Sequence, residues 1–203
     1  MEQPNLKRLS VDRKIGSERF RDGATDLGFD LAEFWRWSVS DLVSNATRGI
    51  LAEFIVARAI GMDSCCVRDE WGACDLIMAG DVKIEVKSTA YVQSWYQKRY
   101  SRTSFSIAKS RAWDRNTNET AAESRRQADV YVFAVLAHRD KATVDPLDMS
   151  QWRFYVVPTR ALEARNQQSI TLRSLEALVG ESIPYGSLRS SLEAVVQGMR
   201  STR

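Results

Sequence analysis

The sequence predicts one α/β (α+β) domain, a mixed central β-sheet flanked by helices. Three observations carry that prediction. A long helical pattern precedes a group of strand-like runs in the middle of the chain. Those runs are short, apolar and bounded by turn residues. Further helical pieces follow Pro158. The 203 residues suffice for one good-sized core and are too few for two. The expected organisation is a single domain over 1–203, with a core at about 40–158, an N-terminal arm at 1–39 and a C-terminal helical extension at 159–203.

In chain order, residues 1–30 are charge-rich, hold three glycines and read as an irregular arm with a short helix. "DLAEFWRWSV" (30–39) has Leu31, Phe34 and Trp35 at helical spacing, as in a short amphipathic helix. "SDLVSNATRGILAEFIVARAIG" follows, with Ser40 or Ser44 as N-cap and Gly61 as its stop. Strands are expected at Cys65–Val67, Cys74–Met78, Val82–Val86, Thr103–Ile107, 128–137 and 152–158, the last closed by proline. "TRALEAR", "LRSLEALVG" and "SLRSSLEAVVQGM" are helical pieces, and there is no repeat or linker.

Composition is that of a soluble protein, 44% hydrophobic and 27% charged. No apolar run approaches the roughly 18 residues of a membrane span, and the polar N-terminus is unlike a signal peptide, so a cytoplasmic protein without a membrane partner is expected. Cys65, Cys66 and Cys74 make neither a disulfide framework nor, beside the lone His138, a zinc set. Net charge is only +3, yet Lys98, Arg99, Arg102, Lys109, Arg111 and Arg115 cluster with Asp114 as the sole acid among them. Such a segment suits an anionic partner; a solvated loop face competes with that reading.

The hairpin "DLIMAGDVKIEVKSTA" (75–90) is the most informative stretch. A turn at Ala79–Gly80–Asp81 pairs Met78 with Val82, Leu76 with Ile84 and Cys74 with Val86, making one face uniformly apolar. A two-residue turn would mix the faces. The favoured register sets Asp75 opposite Glu85, with Cβ atoms roughly 5 Å apart, and Lys87 two residues further along the same face. Two carboxylates so placed repel unless one is protonated or a cation lies between them. They are hard oxygen donors of the kind that Mg²⁺ or Mn²⁺ takes. A plain charged solvent face is the alternative. The similar string Asp81–Lys83 begins in the turn, where Asp is expected for local reasons.

Glu53 lies within the long helix, and its neighbours at three and four residues are Gly49, Ile50, Val56 and Ala57, none basic. A carboxylate in or beside an apolar stripe needs compensation, which a cation shared with Asp75 and Glu85 would provide; an edge position reaching water is the other reading.

A helix-borne acid, then Asp, a turn and Glu-x-Lys on the next strand: this pattern resembles the PD-(D/E)xK nuclease superfamily, with its restriction-endonuclease-like fold, and within it a bacterial branch. The similarity rests on "GILAEFIVARAIG", "WGACDLIMAGDVKIEVKSTAYVQSW", "ADVYVFAVLA" and "DPLDMSQWRFYVVPT", over about 45–158. It implies that Asp75, Glu85 and Glu53 bind Mg²⁺ or Mn²⁺ and that Lys87 stands beside the attacking water. Gln93 follows the lysine as glutamines do in some branches and is carried as a further catalytic candidate. Ala73 and Cys74 stand before Asp75 where the motif's name has proline.

The expected function is metal-dependent phosphodiester hydrolysis, in DNA, with nucleic acid as partner. Lys83, Lys98, Arg99, Arg102, Lys109 and Arg111 would follow the backbone, with Trp95, Tyr96, Tyr100 and Trp113 available to stack unless they pack in the core. If duplexes are cut on both strands, a homodimer is the simplest solution. Other chemistries fail: there is one histidine, no G-x-S-x-G, and "GATDLG" lacks the lysine of a phosphate loop. Two rivals remain: a catalytically inactive nucleic-acid-binding or assembly module on the same fold, and a structural partner using Trp35, Trp37 and the C-terminal helices.

Overall fold

The computed structural model describes residues 6–62 and 67–201. A four-stranded mixed sheet forms the centre, in the order β3-β4-β8-β9. β3 (Leu76–Met78) runs antiparallel to β4 (Val82–Ala90), β4 parallel to β8 (Val130–Leu136), and β8 antiparallel to β9 (Trp152–Pro158). The alternation read from the sequence is the alternation of burial. Val82, Ile84 and Val86 join Val130, Val132 and Ala134 on one face, under helices α2 (Asn45–Ala59) and α5 (Leu188–Arg200). Tyr131, Phe133, Val135, Tyr155 and Val157 lie on the other, under α3 (Arg160–Glu163), α4 (Leu172–Val179) and the small ladder of β5 (Ser104–Ser106) with β10 (Ser169–Thr171). The domain is therefore α+β, with both faces of its main sheet covered.

The helix pattern at 40–61 resolves as α2, capped at Ser44. That hydroxyl bonds the Thr47 hydroxyl at 3.1 Å and makes no backbone cap. Gly61, at φ +74°, ends the turn that follows, a conformation glycine adopts without a Cβ penalty. α1 (Leu31–Val39) carries a full capping box, with Asp30 accepting from Glu33 N–H and Glu33 accepting from Asp30 N–H.

Several expectations need correction. Within the described part of the arm, β1 (Arg19–Asp22) and β2 (Thr25–Asp30) form an antiparallel hairpin where an irregular segment with a short helix was expected. A second hairpin, β6 (Ser110–Asp114) with β7 (Glu119–Arg125), forms where no strand was expected, its first strand within the basic segment 98–115. The C-terminal helix α5 is part of the core, since its Leu188, Leu192 and Val196 join the cluster beneath the sheet, with α5 against β9 and α2. α1 has no buried residue, and Trp37 is 84% exposed. The strand expected at Cys65–Val67 lies outside the described residues in its first two positions, and Val67 belongs to no strand. Among the described residues, no helix is long and apolar enough to cross a membrane.

Candidate active site

The register of the central hairpin is the predicted one. Met78 pairs with Val82, Ile77 with Lys83 and Leu76 with Ile84, around a turn in which Gly80 and Asp81 have φ of +81° and +59°. The ladder ends at Leu76, and neither the expected Asp75–Glu85 pair nor the Cys74–Val86 pair forms. Asp75 N–H donates to the Ile84 carbonyl at 3.1 Å, and the Asp75 carboxylate accepts the Val86 N–H at 2.7 Å. A short carboxylate has taken the place of a ladder acceptor, which is how Asp competes with strand pairing. Cys74 is a free thiol, and burial pushes its pKa up.

Asp75, Glu85 and Lys87 line one cleft of about 760 Å³, together with Lys109, Arg111, Trp71, Trp113 and Tyr131. The odd-numbered face of β4 supplies Glu85 and Lys87; the residue just before β3 supplies Asp75. Lys87 Nζ lies 2.5 Å from Glu85 Oε1, with both side chains partly exposed. Asp75 is held above the ordinary carboxylate pKa, first by burial and then by the charge of Glu85; the Val86 N–H, Lys87 and Arg68 pull the other way. Two partly buried carboxylates in one cleft are hard oxygen donors of the kind a divalent cation takes. Tyr131, paired across the parallel ladder with Glu85, has its phenol pushed up to about 12 by burial and by that same charge.

Glu53 is reached by a different cation. Arg68 grips it with both ends of its guanidinium, Nε at 2.5 Å and Nη2 at 2.9 Å from the two carboxylate oxygens. Glu53, Asp75 and Glu70 in turn raise the Arg68 pKa, so this guanidinium carries its charge to the neighbourhood of Asp75. Glu53 does not line the cleft. Among the described residues no three His, Cys, Asp or Glu side chains come together as metal ligands.

Gln93 is buried away from the cleft. Its side-chain oxygen accepts from Arg48 at 3.3 Å, and its amide nitrogen donates to the Ala90 carbonyl and the Ser101 hydroxyl. Arg48 is itself buried, with its pKa lowered by the loss of water. Lys83 lines a separate depression with Arg126 and Arg200, where its backbone N–H donates to Asp129 at 3.0 Å. The basic residues divide: Lys109 and Arg111 stand in the cleft, whereas Trp95, Lys98, Arg99 and Arg102 form another depression. Arg111 also donates to the Ala122 carbonyl across β6–β7.

Sequence reasoning missed Arg68, Trp71 and Tyr131. Trp71 stands edge-on to Trp113, ring centres 6.0 Å apart, and neither indole belongs to a core cluster. Nearby, Arg115 pairs with Asp69, a second tie between this strap and the β6–β7 hairpin. An exposed tryptophan four residues before Asp75 was the available signal for Trp71. For Arg68 and Tyr131, only the fold brings the partners together.

One family model, described as bacteriophage T4 endonuclease IV, matches residues 6–174, which takes in the whole cleft. Neither the curated proteins nor the solved structures contain a match.

Proposed function

The chain belongs to the bacteriophage T4 endonuclease IV family, and from that premise we propose that this nuclease hydrolyses phosphodiester bonds in DNA at a PD-(D/E)xK-type site formed by Asp75, Glu85 and Lys87. The observation that carries the reading is the cleft itself, where two acids and a lysine meet Lys109 and Arg111. Asp75 and Glu85 would hold Mg²⁺ or Mn²⁺. A divalent ion bound there supplies a Lewis acid for the phosphoryl oxygen and lowers the pKa of its water.

The chain's own groups do the rest. Lys87, anchored by Glu85, presents an ammonium that orients the attacking water and stabilises charge developing on the phosphate. Lys109 and Arg111, which line the same cleft, bind the nucleic-acid backbone there. Glu53, with both oxygens occupied, serves as the anchor of Arg68, whose charge offsets the crowded acids.

The test is cleavage of labelled DNA and RNA in Mg²⁺, Mn²⁺ or EDTA by the wild type, Lys87→Ala and Glu85→Ala. Cutting by the wild type with a divalent ion, reduced at least about a hundredfold in each variant, is expected. Cutting that survives both substitutions removes the site assignment. Metal-independent binding without cutting identifies the inactive module.

A further inference from the structure

We propose that the loop between β4 and β5 is a second nucleic-acid grip, separate from the cleft, that stacks a base and holds backbone phosphates away from the reacting bond. Its occupant follows from the proposed function, on which the inference rests.

The loop is preformed. Ser101 N–H donates to the Tyr91 carbonyl at 2.9 Å, closing the segment on itself. The Gln97 side chain spans the interior, accepting from Gln93 N–H at 2.6 Å and donating to the Ser101 hydroxyl at 3.0 Å. Arg139, from beyond the end of β8, lies over the Tyr91 ring at 4.2 Å and within 5.7 Å of Tyr100, and these two rings meet edge-on. Lys141 caps the Trp95 carbonyl.

What this framework displays lies outside the core. Trp95 is 51% exposed, Tyr96 83% and Tyr100 55%, and none belongs to a core cluster. Exposed aromatics on an ordered loop forgo the burial that ordinarily justifies them, whereas base stacking uses their faces directly. Lys98, Arg99 and Arg102 stand among them, exposed, and none pairs with a described acid. The depression they line, about 630 Å³, contains no acidic residue and shares no residue with the cleft. Cations without acids, interleaved with open aromatic faces, match a polyanion that carries rings. An acidic protein would use the charges and leave the rings idle.

The loop springs directly from β4, so Lys87 and the grip share one strand held between β3 and β8. That linkage lets the loop fix the strand's position while the cleft performs the reaction. Its contribution therefore falls on binding.

The experiment measures anisotropy of a labelled oligonucleotide with the full chain in EDTA, across a salt series, followed by steady-state cleavage. Trp95→Ala should weaken binding at least about fivefold, with Trp95→Phe restoring most of it. The double variant Lys98→Ala/Arg99→Ala should flatten the slope of log K against log salt by about 1.4 to 1.8. KM should rise with the loss of affinity, while kcat changes by less than about twofold. Wild-type isotherms and slopes in both variants overturn the grip, as does a loss confined to kcat. Polyglutamate competing as well as an oligonucleotide overturns it too, since the rings would then be irrelevant. A wild type that binds through the loop but cuts nothing overturns the nuclease reading and leaves the grip. A wild type that cuts, with loop variants that bind normally, does the reverse.

Discussion

The two hairpins that supply the cleft are built on opposite plans. In β3–β4, one face is sealed beneath α2 and α5, and Ile84 is fully buried. In β6–β7, all seven residues of β7 are exposed, and only Ala112 of β6 is partly covered. The first hairpin can hold Asp75, Glu85 and Lys87 in fixed positions because its backbone is tied to the core. The second contributes Arg111 and Trp113 from a ribbon that buries almost nothing. On the proposed reading, the groups assigned to the reaction stand on the hairpin tied to the core, and those assigned to contact stand on the exposed one.

If that division holds, the largest effect belongs to Asp75→Ala. Cleavage should fall by about 10²–10³-fold, because the substitution removes a donor that the rigid hairpin cannot replace. Residual activity within tenfold of wild type would show that the acids are not equivalent partners. Next in size is stability. Ile84→Ala should cost about 2–5 kcal/mol in urea unfolding, as for a buried aliphatic side chain, whereas Glu123→Ala on β7 should stay within about 0.5 kcal/mol. Similar costs at the two positions would erase the contrast.

The soft hairpin and its approach should show themselves in binding. Lys109→Ala should leave Tm unchanged and reduce the salt slope of nucleic-acid binding by about 0.7–0.9, one phosphate contact. The smallest effect concerns the metal-free site. Because the folded pKa of Asp75 is raised, its ionisation destabilises the native state as pH rises through that pKa; the penalty is absent below the ordinary carboxylate pKa of about 3.9. Asp75→Asn retains an acceptor for Val86 and should melt above the wild type at pH 7 in EDTA. The gap should close near pH 3. A gap that persists there would trace the stabilisation to something other than charge.

The same physical difference decided what could be read from the sequence. Val82, Ile84 and Val86 alternate with Lys83, Glu85 and Lys87 because one side is buried, and that alternation fixed the register from Leu76 to Met78; Asp75 and Glu85 meet as walls of the cleft without pairing in the ladder. "ETAAESR" has no buried side and no alternation, and "TDLGFD" alternates only at Leu27 and Phe29, so both hairpins escaped notice. β9 was legible to the residue, since an apolar run ends at Pro158. The partner of Glu53 was not, because helical spacing gives only neighbours three or four residues away, and Arg68 arrives from fifteen residues along the chain. Gln93 was placed by analogy with no local pattern behind it, and its side chain is spent inside the loop framework.

The Asp75–Val86 bond ties chemistry to inheritance. Lys87 bonds no described partner except Glu85, so a descendant that abandoned catalysis could discard it freely. Asp75 could not be discarded on the same terms, since alanine there would strand a backbone donor at the end of the hairpin. A silent copy of this fold would therefore be expected to keep an oxygen at position 75, as Asn or Ser, long after the lysine had drifted. If Lys87 acts as proposed, position 87 would report among diverged copies whether cutting persists, and position 75 only whether the hairpin still ends where it does here.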